Sequence, residues 1–457
     1  MSAEHGHERG HEQARDRPGN GRRARRSFRL TAAALLCVLA TVGAAATVAG
    51  TARGPRVLDT VLAVDQASAA AGAMVRFRFD RPVDSVDEIR TEPLAPVEVD
   101  VADRIVEVRF AEPLADGARY RVEVEVAAST GASSRADADF ETPALGLLLL
   151  ERDPTGPDLV KRTTASATSP EAVHRAERIQ RVALAAEVVV ALEADAAGAL
   201  TLAFAAPGQD EPARLPLHGA ATVRRLTGSP TSATVAWIES AERGANAPGR
   251  LRVLKLAGAA ASAPVDVTDA AGDPLDVVDA LWVPGGASLV VHLRDGGVGI
   301  VDAGSGGFTH LGVHAELRGV LPGRSAAVVA DPDGTTVLDL ATGAARRVDV
   351  PSAALPDGAI PGRLVPLDAD GAHLVDVLLV DADRPTRVVA YVDGSGSRVL
   401  FASEPGTDVT DVCPSPNGRT AAVTAASSTG GPETTALVDI ATGETLARLG
   451  GGRPSWC

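Results

Sequence analysis

The sequence predicts an all-β protein behind one N-terminal apolar helix. Three observations carry this. Residues 30–52 hold no charge, several runs between 55 and 143 alternate apolar and polar residues, and from 145 onward a proline-bearing turn recurs at regular distances. The length of 457 residues suggests two or three domains, and 45% hydrophobic residues suffice for packed cores, which argues against wholesale disorder.

The charge is unevenly placed. Residues 1–29 carry eight arginines and four acids, a surplus of four, so with −15 overall the remainder stands at −19. An acidic bulk repels phosphate backbones, so nucleic acid is not expected as a partner. Residues 1–29 read as a disordered basic cytoplasmic tail. Within it, His7-Glu-Arg-Gly-His11 fits H-E-x-x-H. That motif needs a stable helix to bring both histidines onto one face, and this Gly- and Arg-rich stretch has no apolar periodicity, so no metal site is assigned.

The uncharged segment 30–52 has 23 residues, and about 20 cross a bilayer core. Arg22, Arg23, Arg25, Arg26 and Arg29 precede it, so the positive-inside rule keeps the N-terminus cytoplasmic and places the bulk outside. A single-pass signal anchor in the cell membrane is the leading expectation. A cleaved secretory signal at Ala44-Ala45-Ala46 and a twin-arginine signal at Arg25-Arg26-Ser27-Phe28 remain open.

Between 55 and 143, Val75–Phe79, Ile105–Phe110 and Tyr120–Val126 alternate with period two and are separated by turn residues such as Asp80-Arg-Pro82 and Ala115-Asp-Gly117. Short alternating strands over this length predict a β-sandwich. The stretch resembles the Ig-like domains of bacterial S-layer-type proteins. The resemblance is carried by Val75-Arg-Phe-Arg-Phe-Asp-Arg-Pro-Val83, by Pro113-Leu-Ala-Asp-Gly-Ala-Arg-Tyr120 and by Phe140-Glu-Thr142. It implies a spacer or adhesion module without catalytic residues.

In residues 145–457, prolines 230, 284, 322, 366 and 416 are spaced by 54, 38, 44 and 50 residues. An apolar strand follows each, as in Ala233–Trp237 and Thr420–Val423, and a third run ends in a turn, as in Thr336–Gly343 and Thr435–Gly443. Four short strands per unit of this length is the blade of a β-propeller. Seven blades are favoured and six are possible. Trp282-Val-Pro-Gly-Gly286, Val320-Leu-Pro-Gly-Arg324 and Pro414-Ser-Pro-Asn-Gly418 resemble the W-S-P-D-G turn of propellers related to the periplasmic TolB protein and to WD-type repeats. That resemblance implies the fold, since propellers host many unrelated activities. Residues 146–150 and 158–163 read as strands lacking an inner partner, and residues 452–457 as an inner strand lacking outer ones, so one blade is expected to be shared by both ends of the domain.

No catalytic motif, phosphate loop or cofactor signature is present. Of six histidines beyond the tail, His310 and His314 are four apart, a spacing that suits a metal only on a helix. Asp331-Pro-Asp-Gly334 reads as a strand-connecting turn. The expected role is that of a membrane-anchored envelope binding or scaffold protein, with an unknown envelope protein or glycan as partner. The rival is a propeller hydrolase or lyase acting on envelope glycan or peptide, with carboxylates scattered through the chain. A ring of inward acids or histidines would point to the rival, and a mixed face to binding.

Cys37 falls within the apolar segment, whereas Cys413 and Cys457 lie where disulfides persist. A structural Cys413–Cys457 bond is expected; two separate thiols are the alternative. It would close a loop of roughly 45 residues, worth about 4 kcal/mol in the chain-entropy model. Cys457→Ser should therefore lower the melting temperature of the oxidised protein and leave the reduced protein nearly unchanged. Two reactive thiols in the denatured, nonreduced outer region would refute the bond.

Overall fold

The computed structural model describes residue 28 and residues 31–43, 53–165, 169–209, 211–244, 246–257, 260–261, 263–351, 359–380 and 385–456. A helix covers residues 31–43. Among the described residues no helix is long and apolar enough to cross a membrane, so the expected span of 30–52 is not established. Residues 30 and 44–52 lie outside the described residues, as does the tail containing His7 and His11.

The first domain is a two-sheet sandwich. Its strands are β1 (Val57–Ala63), β2 (Met74–Phe79), β3 (Ser85–Glu92), β4 (Val97–Ala102), β5 (Ile105–Phe110), β6 (Arg119–Ala127) and β7 (Ser133–Glu141). One sheet runs β1-β2-β5-β4 and the other β3-β6-β7, with every pairing antiparallel. The alternation read from the sequence becomes strict in–out burial: Val75, Phe77 and Phe79, then Val106, Val108 and Phe110, are fully buried between the sheets. Five of the chain's scarce aromatics gather here. Tyr120 stacks on Phe140 at 5.7 Å between ring centroids, and Phe110 meets the two edge-on at 6.1 and 5.9 Å. The turn before β6 is pinned from two sides. The Ala115 amide donates to the Tyr120 hydroxyl at 3.1 Å, and the Thr142 hydroxyl donates to the Ala115 carbonyl at 2.6 Å.

The rest of the chain is a β-propeller of seven sheets. Blade 1 has strands Gly146–Glu151, Asp158–Thr164 and Glu171–Ala176; blades 2 to 7 open with inner strands Ile179–Ala185, Thr222–Gly228, Val277–Trp282, Glu316–Val320, Ala359–Pro366 and Thr407–Pro414. Each inner strand packs beside the next around the ring. Strands buried on both faces read as continuous apolar runs, and Leu147–Leu150 show why: Leu148 and Leu150 pack towards blade 2, while Leu147 and Leu149 pack towards blade 7.

The ring closes as the sequence predicts, with the end of the chain supplying blade 1's inner strand. Leu150 and Gly452 exchange backbone hydrogen bonds of 2.8 and 2.9 Å. The Leu148 amide donates to the Ser455 hydroxyl at 2.9 Å, the Ser455 amide to the Leu148 carbonyl at 3.1 Å, and the Trp456 indole N–H to the Gly146 carbonyl at 2.9 Å. Ending the chain at Gly451 removes these bonds and the buried indole, a loss on the order of 5 kcal/mol. The truncated protein should unfold at a clearly lower urea concentration and be cut readily by trypsin in blade 1. An unchanged urea midpoint would show that the closure contributes nothing.

Candidate ligand-binding channel

The channel wall begins with a break in strand periodicity. A β-bulge sets two residues against one and re-aims their side chains. The register slips at the same level in six inner strands: Ile179/Arg181, Val223/Arg225, Val277/Asp279, Leu317/Gly319, Pro361/Leu364 and Val409/Asp411. Flanking apolar residues, such as Val223 and Leu226 or Val277 and Ala280, stay buried between blades, and the residues between them are only partly buried.

The bulges and the closing strand thus bring together Arg181, Arg225, Asp279, Gly319, Arg363, Asp411 and Arg453, one from each blade. Charged groups bridge neighbouring blades. Arg225 Nε lies 3.5 Å from Asp279 Oδ1, and Arg363 Nη1 lies 4.0 Å from Asp411 Oδ1. Arg181 Nε donates to the Val223 carbonyl at 3.1 Å and Arg453 Nη1 to the Gln180 carbonyl at 2.7 Å. Among the described residues neither Arg181 nor Arg453 touches a carboxylate, and Asp411 acts on both from a longer distance.

Burial brings the Arg181 guanidinium down to about 10, helped by the like charges of Arg453 and Arg225 and opposed by Asp411. Burial also pushes the Asp411 carboxyl up, against the pull of Arg363, the Val412 amide, Arg225 and Arg453.

Beside this ring lies a cavity of about 420 Å³ lined by Arg225, Arg318, Arg363, Trp282 and Trp456, among others. The sandwich supplies its floor through Gln66, Ser68 and Ala69, in the connection between β1 and β2. Trp282 is 8% exposed, and its indole N–H is buried without a hydrogen-bond partner.

The sandwich is not a free spacer. It docks on the turns that follow the inner strands, the same Pro-containing turns that the sequence reading took only as a repeat mark. The Ala71 amide donates to the Gly323 carbonyl at 3.0 Å, and Asn417 Nδ2 donates to the Leu114 carbonyl and Asp116 Oδ1, both at 3.3 Å. Gly323 has φ +64, and a Cβ there would meet Pro113 Cγ at 1.9 Å.

The structure separates the residues singled out from the sequence. Cys413 is fully buried in blade 7's inner strand, with Sγ 3.9 Å from the Pro454 carbonyl; Cys457 lies outside the described residues. His314 Nδ1 pairs with Asp331 Oδ2 at 2.8 Å, while His310 is exposed in strand Phe308–Val313, which ends just before His314. Asp331 and Gly334 face each other across a tight hairpin, so Asp331-Pro-Asp-Gly334 is the expected turn. Among the described residues no group of His, Cys, Asp and Glu side chains could hold a metal ion.

The arginine ring escaped the sequence reading. Its signal is a spacing of three between apolar residues where a strand requires two, as in Val223-Arg-Arg-Leu226 and Val409-Thr-Asp-Val412.

No protein-family model matches the chain, and no curated protein does. Solved structures resemble it only distantly. A dihydro-heme d1 dehydrogenase, NirN, is 15% identical, covers 69% of this chain and 75% of its own, and has a TM-score of 0.43. The propeller domain of the Trilobed protease from Pyrococcus furiosus is 8% identical over 75% of this chain and 94% of its own, at 0.41. A chain from a study of two prolyl endopeptidases is 12% identical over 74% of this chain and 49% of its own, at 0.47. The propeller assignment rests on the sheet order and the closure of the ring.

Gly323→Ala tests the docking. A side chain at a left-handed backbone position against Pro113 should cost about 1–3 kcal/mol and loosen the sandwich from the propeller. Small-angle scattering should show a larger radius of gyration, whereas an unchanged profile with unchanged stability would contradict the contact.

Proposed function

We propose that this protein is a noncatalytic binding protein of the cell envelope, anchored by its N-terminal segment, that takes a small ligand into the propeller channel. The observation that carries this reading is the channel itself: a cavity of about 420 Å³, floored by a second domain and lined on the ring side by Arg225, Asp279 and Arg363. Ligand sites are concave, mostly apolar and of about 300–1,000 Å³, with a few convergent polar groups. The ring contains neither histidine nor a cluster of acids, which favours binding over the hydrolase or lyase reading. The uncharged 30–52 segment and the exposed Leu35, Leu36 and Leu39 of the helix over 31–43 support the anchor. The two-sheet order and the Tyr120 corner support an Ig-like sandwich, here serving as the channel's cap.

The full chain, extracted from its own membranes in mild detergent, should carry a small molecule detectable by native mass spectrometry. That molecule should leave on unfolding with its mass unchanged after prolonged incubation. Conversion of the molecule during incubation would support the enzyme reading instead, and its absence together with an inert channel would overturn the proposal.

A further inference from the structure

We infer that a second copy of this chain docks on the sandwich, edge to edge through β3. The sandwich has unequal sheets, four strands against three. β1 packs beside β7, so β5 falls over β3 and β4 overhangs. Val99 and Val101 of β4 pair across the ladder with Val108 and Val106, which are fully buried, so they too face the interior. They are nonetheless 38% and 36% exposed, because the opposite sheet stops at β3. Leu94, in the connection between β3 and β4, is 93% exposed. Among the described residues β3 pairs only with β6. Its outer edge therefore keeps a row of amides and carbonyls open to another strand.

The charges of β3 select its own copy as that strand. Turned antiparallel about Ile89, β3 meets the copy with Glu88 opposite Arg90, Ile89 opposite Ile89 and Arg90 opposite Glu88. Opposite charges and β-branched pairs facing each other across a ladder are favourable, and like charges are not. Glu88 and Arg90 are both exposed. In its own sheet Glu88 stands opposite Glu125, a repulsion that the copy's Arg90 offsets from the other side. Arg90 holds the neighbouring Glu88 at 2.7 Å, so its guanidinium already lies at the carboxylate it would share. The β4 edge rejects the same arrangement: turned about Val99, it sets Glu98 against Asp100 twice. Pairing through β3 joins two three-stranded sheets into one continuous sheet and carries the copy's β3 over Val99 and Val101.

The test measures the mass of the full chain in mild detergent by sedimentation, over a dilution series at low salt. The protein should pass from dimer to monomer on dilution. Arg90→Glu turns both cross-strand pairs into repulsions and should weaken the dimer about tenfold or more. Adding Glu88→Arg to that variant restores opposite charges across the edge and should restore the dimer. Arg109→Glu makes an equal charge change at an exposed position of the other sheet and should leave association unchanged. Melting temperature and circular dichroism establish that each variant is folded. Should Arg90→Glu not fold, Arg90→Gln removes the attraction without adding repulsion and should still weaken the dimer. A chain monomeric at every concentration would overturn the inference. So would a dimer indifferent to the Arg90 variants, one that the charge swap fails to restore, or one weakened equally by Arg109→Glu.

Discussion

A blade of four short strands with apolar residues on both faces cannot cover either face itself, so each blade depends on the next and the ring depends on its seam. The backbone pair between Leu150 and Gly452 is that seam. Without it, blade 1 would present Gly146–Glu151 as a bare edge, a strand whose four leucines are fully buried only because blades 2 and 7 both lean on it. An exposed apolar edge of this kind is a template for wrong pairings. The closing strand removes the edge, and it also brings Arg453 against blade 2, where its guanidinium donates to the Gln180 carbonyl, so one segment completes both the fold and the charged ring.

The ring follows from a conflict inside each inner strand. Its apolar residues must face the neighbouring blades, which fixes their register, while the channel wall needs polar side chains. A bulge reconciles the two by letting a pair of residues leave the alternation before it resumes. Because six strands do this at one level, residues scattered from 181 to 453 converge. The arrangement sets four arginines against two aspartates: the guanidiniums of Arg181 and Arg453 are hydrogen-bonded to carbonyls and share the field of Asp411.

Much of the architecture was legible because it is repetitive. The alternation of Val75–Phe79 and Ile105–Phe110 gave the sandwich, and the recurring prolines with their following apolar strands gave the blades. Even the shared blade could be read from two incomplete strand sets at opposite ends of the domain. The site was not legible in the same way. Single arginines in otherwise ordinary strands carry no motif, and only a structure shows that Arg181, Arg225 and Arg453 are neighbours. The docking face was misread for a related reason. The turn at Pro322-Gly323 looks like a repeat signature, and nothing local reveals that Pro113 rests against it.

That contact changes what the sandwich does in the molecule. A spacer would touch the propeller through a linker alone, whereas Ala71, Leu114 and Asp116 bond to turns on blades 5 and 7, and Ala70 packs against blade 4 at Gly285. Gripping three blades at once, the sandwich bridges the ring on one face and lays Gln66, Ser68 and Ala69 across the cavity. A through-channel with water at both ends would let solvent screen the arginines. A channel floored on one side lowers the local dielectric and strengthens every charge interaction within it. The second domain therefore belongs to the electrostatics of the cavity, where Arg225, Arg318 and Arg363 stand with Asp279.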